Sequence, residues 1–328
     1  MLTLAFRRRR RQSARVHTLS RSCRSGLLFL VALGCRDAGL PVSQKADSAT
    51  ALVALAGTAA SAAADTAIPS GPLGESIKRG LALIEHTPDS LPKYVGGNLK
   101  CTSCHLDRGL RPNAAPLAGV HNRFPRYIER SGAVVPLEDR VNYCFTRSLA
   151  GRALPQRSRE MVDIIAYLAF ISRGAAASGR VAGEGMPKMA ALVADSARGH
   201  AEFAANCARC HGVDGAGIAV VPALWGAKSY SVGASMARVE RAASFIRHNM
   251  PFDKPGTLTD QQAFDIAAYV NSHARPDSPG KELDWPKGGA PGDVPYVTAG
   301  HTPTRLTPVL PRKNADGAIV PAPVGVGK

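Results

Sequence analysis

The 328-residue sequence has few aromatic and few charged side chains. Phe, Trp and Tyr make up 5% of it, and Asp, Glu, Lys and Arg together make up 20%. A core built mainly from aromatic rings is therefore excluded, and Ala, Gly, Leu and Val must do most of the packing. A chain of this length is expected to form about two domains.

The chain also lacks the long, charge-free apolar run of a stable membrane anchor. The apolar stretch 26–34 follows a segment with eight Arg and no acidic residue, so residues 1–34 predict an export signal. Ala32-Leu33-Gly34-Cys35 is an imperfect lipobox. Lipidation of Cys35 is the favoured processing, and cleavage within the small-residue run 59–64 is the alternative. Either route predicts a periplasmic protein, with Cys35 as its candidate lipid anchor to a membrane.

Acidic residues are outnumbered, and the formal net charge is +16. Such an excess is typical of nucleic-acid binding, but the first 34 residues contain eight of the arginines. The rest of the chain has 33 basic and 25 acidic residues. This mild excess suits an anionic small substrate or an acidic redox partner, and no nucleic-acid partner is predicted.

The motif C-x-x-C-H occurs twice, at 101–105 and at 207–211. It is typical of c-type haem attachment: the two thiols bond to the haem, and the histidine becomes the proximal ligand of the iron. Two covalently attached haem c groups are therefore predicted. The residues predicted to bind them are Cys101, Cys104, His105, Cys207, Cys210 and His211.

Similar patterns around the two motifs indicate an internal duplication of a roughly 90-residue unit. Pro116 and Pro222 each lie eleven residues after the motif histidine, and both units close with an amphipathic helix. The predicted fold is all-α, with two tandem cytochrome c domains, each a few helices around one haem, and irregular termini. The predicted segments are an export signal (1–34), a flexible linker (35–74), a first domain (75–178), a second domain (179–275) and a Pro- and Gly-rich tail (276–328).

The odd cysteine Cys144 lies at an informative position. Met250 follows His211 by 39 residues, in the segment that commonly supplies the distal ligand of such a unit. The same offset from His105 leads to Cys144. The duplication therefore predicts that Cys144 ligates the first iron and Met250 the second. The plainer interpretation of Cys144 is a small buried thiol.

Two other residues compete with Met250 as ligand of the second iron. His248 and Lys254 are close enough in the sequence to replace it, and a ligand change on reduction is conceivable. In the tail, the segment 283–285 is expected to strap the irregular chain back over a domain.

Basic residues surround Cys144 in the sequence. Arg140 and Ser148 lie four residues to either side of it and so share its helix face. Most such arginines serve as surface charges or as partners of haem propionates. Beside a sulfur ligand, however, guanidinium groups suit a dianionic oxo-sulfur substrate. The arginines in this stretch are Arg123, Arg126, Arg130, Arg140 and Arg147.

Several segments resemble the dihaem thiosulfate dehydrogenases, which are related to the cysteine-ligated haem subunit of sulfur-oxidising complexes. The resemblance covers about residues 75–287. The most specific block is Leu137–Pro155, which contains Cys144 with its flanking Arg and Ser. The other blocks are Val95–Leu106, Arg111–Leu117, Asn249–Phe252 and Gly256–Asp260.

The resemblance implies oxidation of two thiosulfates to tetrathionate, or the reverse, at the first haem. The second haem would pass electrons to a redox partner, soluble or membrane-bound, such as another c-type cytochrome. Cys144 would be axial ligand and sulfur-binding centre, with Arg130, Arg140 and Ser148 holding substrate oxygens. Arg126 stands where the family commonly has Gln, a departure that affects the polarity of the pocket.

Two other functions fit the same motifs. One is a non-catalytic dihaem electron carrier in which Cys144 only tunes the reduction potential. The other is the haem subunit of a sulfur-oxidising complex that acts on a carrier-bound thiol. A dihaem peroxidase is disfavoured, because it needs an open or displaceable distal site, and no residue pattern indicates one.

Overall fold

The computed structural model describes residues 67–218 and 220–311. The predicted export signal, Cys35 and most of the predicted linker lie outside these ranges. Within them, no helix is both long and apolar enough to cross a membrane.

Two long helices frame the first domain. Helix α1 (Pro72–Glu85) begins at a proline, a residue well suited to a first helical turn. Its buried stripe includes Ile77 and Ile84. The closing helix, Arg159–Ile171, is capped by the Ser158 hydroxyl, which accepts a hydrogen bond from the Met161 amide. The two helices pack against each other and enclose the core of this domain.

Shorter elements connect these two helices. The single turns α2 (Thr87–Ser90) and α3 (Leu106–Gly109) flank the first haem motif. A two-stranded antiparallel hairpin follows, in which β1 (Arg126–Ile128) pairs with β2 (Ala133–Val135). Helix α4 (Leu137–Tyr143) then runs directly into a π-helical turn, Cys144–Ser148. The closing helix of this domain, Arg159–Ile171, is α5 in chain order.

The second domain repeats this plan. Its α-helices are α6 (Ser196–Asn206), α7 (Ala208–His211), α8 (Val239–Asn249) and α9 (Asp260–Asn271). Thr259 and Gln262 form a capping box at the start of α9, as a Thr-x-x-Gln sequence predicts. Helix α9 packs against both α6 and α8, so the closing helix again covers the first helix of its domain.

The tail packs back on the protein, as predicted from 283–285. Strand β3 (Arg275–Pro276) pairs in parallel with β4 (Val309–Leu310). Between them, Trp285 is buried, and its amide donates a 2.8 Å hydrogen bond to the carbonyl of Arg130 in the first domain. The described residues are thus helix-rich with two short strand pairs, a small departure from the all-α prediction. The remaining helical pieces are 3-10 turns at 92–94, 101–103, 121–123, 235–237 and 281–283.

Candidate dihaem site

The two motif histidines are oriented in the same way. His105 Nδ1 lies 2.6 Å from the carbonyl oxygen of Ala115, and His211 Nδ1 lies 3.0 Å from that of Pro222. A carbonyl can only accept, so each Nδ1 carries the hydrogen and each Nε2 keeps its lone pair. Such an orienting hydrogen bond is typical of metal-ligating histidines. In the first domain the acceptor is one residue before Pro116, the proline that the sequence aligns with Pro222.

The first motif opens onto a cavity with almost entirely apolar walls. Cys101, Cys104 and His105 line it together with Cys144 and Ser148. Their apolar neighbours come from α1, the π-turn and α5, and they include Ile84, Phe145 and Leu168. Two thiols, an imidazole and an apolar surround are the donor set and the environment that a covalent haem requires.

Cys144 lies at the end of α4, where the helix widens into the π-turn. Its sulfur is 3.2 Å from Nη1 of Arg140, and Cys144 and His105 line the same cavity. The two residues predicted as ligands of the first iron therefore border one cavity. π-Turns are frequent at functional sites because they redirect the side chains that they carry.

The surroundings of the thiols separate Cys144 from the motif cysteines. Burial by itself would raise the pKa of Cys144, but the charge of Arg140 and the interactions with His105 outweigh it and lower the pKa to about 6. Burial raises the pKa of Cys101 to about 11 and that of Cys104 to about 12. Cys144 is therefore the thiol of this cavity whose surroundings favour the anion.

The other arginines near Cys144 in the sequence have different partners. Arg123 forms an ion pair with Glu184, and Arg126 is exposed on β1. Arg130 and Arg147 both bind the buried carboxylate of Asp284. Of the five arginines predicted to surround Cys144, Arg140 is thus the one whose side chain makes a described hydrogen bond to its sulfur.

Asp284 and its neighbour Tyr296 are partners of Arg130 that the sequence did not indicate. The Tyr296 hydroxyl donates a 2.7 Å hydrogen bond to Asp284 Oδ2 and also contacts Arg130. These residues lie 154 and 166 positions beyond Arg130. The one available hint was the predicted strapping segment 283–285, which contains Asp284.

The second motif borders a larger cavity of about 660 Å³. Cys207, Cys210, His211 and Met250 line it, with a mostly apolar remainder. His248 and Lys254 are not among the lining residues, and His248 Nδ1 instead donates to the carbonyl of Ser244 on its own helix. The second cavity is therefore lined by the two thiols and the imidazole that a covalent haem requires, and by Met250.

The two haem sites are neighbours in the structure. Residues 102–104 of the first motif also line the cavity of the second motif. Tyr230, which packs in the core of the first domain, lines this second cavity as well. Direct electron transfer between two redox centres requires that the centres lie close together.

Both halves of the chain match known families. Residues 95–177 match the family described as SoxA/TsdA, cytochrome c domain. Residues 194–270 match the family described as cytochrome C oxidase, cbb3-type, subunit III. The two predicted cytochrome units therefore correspond to two different cytochrome families.

Curated relatives share most of this chain. It is 41% identical over 220 residues to the thiosulfate dehydrogenase of Allochromatium vinosum, covering 64% of this chain and 82% of that protein. It is 39% identical over 237 residues to the thiosulfate dehydrogenase of Psychrobacter arcticus, covering 70% and 72%. The protein of the same name from Stutzerimonas stutzeri is 34% identical over 265 residues, covering 77% and 86%.

A solved structure has a similar fold. It is the "as isolated" form of thiosulfate dehydrogenase (TsdBA) from Marichromatium purpuratum, with a TM-score of 0.65 and 31% sequence identity. The match covers 78% of this chain and 56% of that chain, so this protein spans little more than half of that longer chain.

Proposed function

The chain belongs to the thiosulfate dehydrogenase family and carries two covalently bound c-type haems, and we propose that it oxidises thiosulfate to tetrathionate at its first haem. Two thiosulfate dianions join through a new sulfur–sulfur bond to give one tetrathionate dianion, and two electrons leave. No proton is gained or lost in this balance. The same site would run the reverse reaction under reducing conditions.

One observation supports this proposal most strongly: a half-buried thiol lies beside an arginine, in the cavity that the proximal histidine of the first motif also lines. The sulfur of Cys144 is 3.2 Å from Nη1 of Arg140, and Cys144 and His105 both line the first cavity. A sulfur with thiolate character can bind iron and can also meet a substrate sulfur, since thiolates react at sulfur–sulfur bonds. The haem iron would supply a one-electron acceptor beside that sulfur.

The proposed roles of the surrounding side chains follow from charge. Arg140 and Ser148 lie beside Cys144 and would hold the sulfonate oxygens of the bound anion by charge-assisted hydrogen bonds. Arg130 is proposed to hold a further oxygen. Positive charge at the site also offsets the repulsion between two dianions that must approach each other.

His211 and Met250 would be ligands of the second haem, since both line the second cavity. A thioether ligand favours the reduced iron more than a thiolate does, so a haem held there would supply the acceptor for electrons from the first cavity. The proposed acceptor is another c-type cytochrome in the periplasm, where the candidate anchor Cys35 would hold the protein to a membrane.

Replacement of the candidate ligand tests the function directly. Cys144→Ala should abolish thiosulfate turnover, measured with ferricyanide as acceptor, while both haems remain covalently attached, as measured by haem content. Cys144 is separate from the four attachment cysteines, so attachment should not depend on it. The electron paramagnetic resonance signal of a low-spin thiolate-ligated haem should be present in the wild type and absent from the variant.

Three outcomes would favour other functions. Full activity of Cys144→Ala would remove Cys144 from the mechanism. Wild-type protein whose haems are not reduced by thiosulfate would be an electron carrier. Activity that appears only with an added partner chain would indicate the haem subunit of a sulfur-oxidising complex.

A further inference from the structure

The segment 277–301, here called the C-terminal strap, lies outside both matched cytochrome segments, 95–177 and 194–270. It nevertheless has its own buried cluster, in which Trp285, Val294 and Tyr296 pack on Val232. Its carboxylate Asp284 is also buried, with a side chain that is 3% exposed. A strap that only covered apolar surface would have no use for a buried charge, which is costly unless paired.

The strap binds one side of the Arg130 guanidinium. Nε of Arg130 donates to Asp284 at 2.9 Å, and Nη2 donates to the carbonyl of Gly233 at 2.7 Å. Nη2 also contacts Asp284 at 2.8 Å and the Tyr296 hydroxyl. The guanidinium carbon lies 4.9 Å from the centre of the Trp285 ring. Among the described residues, none accepts a hydrogen bond from Nη1.

The same carboxylate also holds the turn that carries Cys144. Arg147, three residues after Cys144 in the π-turn, donates to Asp284 through Nη1 at 2.9 Å and pairs with it through Nη2 at 2.8 Å. Asp284 therefore links Arg130 to the Cys144–Ser148 turn. One carboxylate faces two guanidinium groups, so the cluster keeps a net positive charge.

The geometry points to Asp284 as a positioning residue for thiosulfate, one that acts with Tyr296 by fixing Arg130 so that its free Nη1 can take a sulfonate oxygen. This inference rests on the proposed function. A loose arginine side chain must lose conformational entropy when it binds a ligand. An arginine already held through Nε and Nη2 has lost most of that entropy before substrate arrives, which is the advantage of preorganisation.

Substitution of the carboxylate in the full-length holoprotein tests the inference. Asp284→Asn keeps the size of the side chain and removes its charge. We expect KM for thiosulfate to rise about tenfold or more, as misplacement of a binding group commonly causes, with kcat changed much less. The thiolate-haem signal in electron paramagnetic resonance should persist, since Cys144 is untouched. Asp277→Asn is the matched control, because Asp277 lies in the same strap and pairs with Lys281 instead.

A double-mutant cycle separates positioning from general support of the fold. If Asp284 acts through Arg130, the double variant of Arg130→Gln and Asp284→Asn should have the KM of Arg130→Gln alone. The inference would be overturned if the double variant showed the product of the two single-variant increases in KM. It would also be overturned if Asp284→Asn lowered kcat and thermal stability without a selective rise in KM. If Asp284→Asn does not fold, Tyr296→Phe is measured in the same cycle, because it removes one hydroxyl and keeps the carboxylate.

The two proposals fail in different ways. Wild-type protein without thiosulfate turnover would overturn the proposed function. Wild-type turnover with an unchanged KM in both Asp284→Asn and Tyr296→Phe would overturn only the role of the strap.

Discussion

Cys144 and the two motif cysteines of the first domain carry the same thiol in different surroundings. All three are in one cavity, and burial disfavours the anion at each of them. At Cys144, Arg140 and His105 more than compensate for this penalty, whereas at Cys101 the hydrogen bonds with Thr87 and with the backbone do not. The neutral surroundings suit a sulfur that becomes an uncharged thioether, and the positive surroundings suit one that stays an anionic ligand.

Arg140 is the residue on which this difference mainly depends. Arg140→Met keeps most of the aliphatic chain and removes the guanidinium. A hydrogen bond to a charged group contributes about 1.5–3 kcal/mol, so kcat/KM for thiosulfate should fall roughly tenfold to a hundredfold. Steady-state kinetics with ferricyanide as acceptor measures this loss.

Arg152→Met is the control for Arg140→Met. The Arg152 guanidinium is exposed and donates only to the carbonyl of Lys93, outside the cavity of the first motif. Its substitution should leave kcat/KM unchanged. Equal losses in the two variants would mean that Arg140 acts through the overall charge of the protein and not at the sulfur.

At the scale of elements, each domain depends on one close helix crossing. In the first domain, Gly80 on α1 lies so near α5 that an added Cβ would be 2.0 Å from the carbonyl oxygen of Asp163. In the second, Gly199 on α6 would place a Cβ 1.9 Å from the carbonyl oxygen of Asp265 on α9. Both domains thus contain a close helix contact that only glycine allows.

At these two glycines, alanine substitution is expected to change the stability in the direction opposite to that in an open helix. In an open helix, Gly→Ala would stabilise by up to about 1 kcal/mol. Here Gly80→Ala or Gly199→Ala should instead destabilise by about 1–3 kcal/mol, because the backbones must move apart as in an overpacked core. Thermal unfolding followed by circular dichroism, on protein with verified haem content, measures the change.

Gly174→Ala is the control for these two variants. An added Cβ at Gly174 meets no atom within 4 Å, so its effect should be small. Unchanged stability in Gly80→Ala and Gly199→Ala would show that the helices can separate without cost, and the close crossings would then have no energetic role.

At the scale of the whole molecule, the sequence predicted the parts that follow local patterns. The two C-x-x-C-H motifs, the amphipathic closing helices and the equal spacing from each motif histidine to Pro116 or Pro222 are all local or periodic. The equal offsets from His105 and His211 also predicted Cys144 and Met250 as candidate ligands, and the structure places them at the first and second cavities. Their roles as iron ligands remain predictions.

The long-range part of the site could not be predicted. Asp284 meets Arg147 across 137 residues and Arg130 across 154, and no spacing rule connects a tail residue to a hairpin so far away. The family resemblance of the sequence therefore implied only a substrate contact for Arg130. In the structure, most of its donors are already bound by Asp284, Tyr296 and Gly233.

The two domains also share a feature that affects the stability of the protein in acid. Each domain has a buried aspartate on its closing helix that binds an arginine on its first helix, Asp163 with Arg79 and Asp265 with Arg198. Burial would raise the pKa of each carboxyl, but the hydrogen bonds from the arginine and from other donors outweigh it and lower the pKa. A carboxyl with a lowered pKa stabilises the fold above its unfolded pKa, near 3.9. That stability is lost as the pH falls through the folded value.

The double variant Asp163→Asn with Asp265→Asn tests this linkage. At neutral pH it should be less stable than the wild type, by up to about 1 kcal/mol for each partly exposed pair. Below about pH 4, where the wild type loses these interactions, the two proteins should converge, so the variant has the shallower dependence of stability on pH. Denaturant unfolding between neutral pH and about pH 2 measures both effects. Asp89→Asn serves as the control, because Asp89 is an exposed carboxyl without a described ion pair. If the free energy of unfolding depended equally on pH in the double variant and in the wild type, other carboxyls would control the acid unfolding.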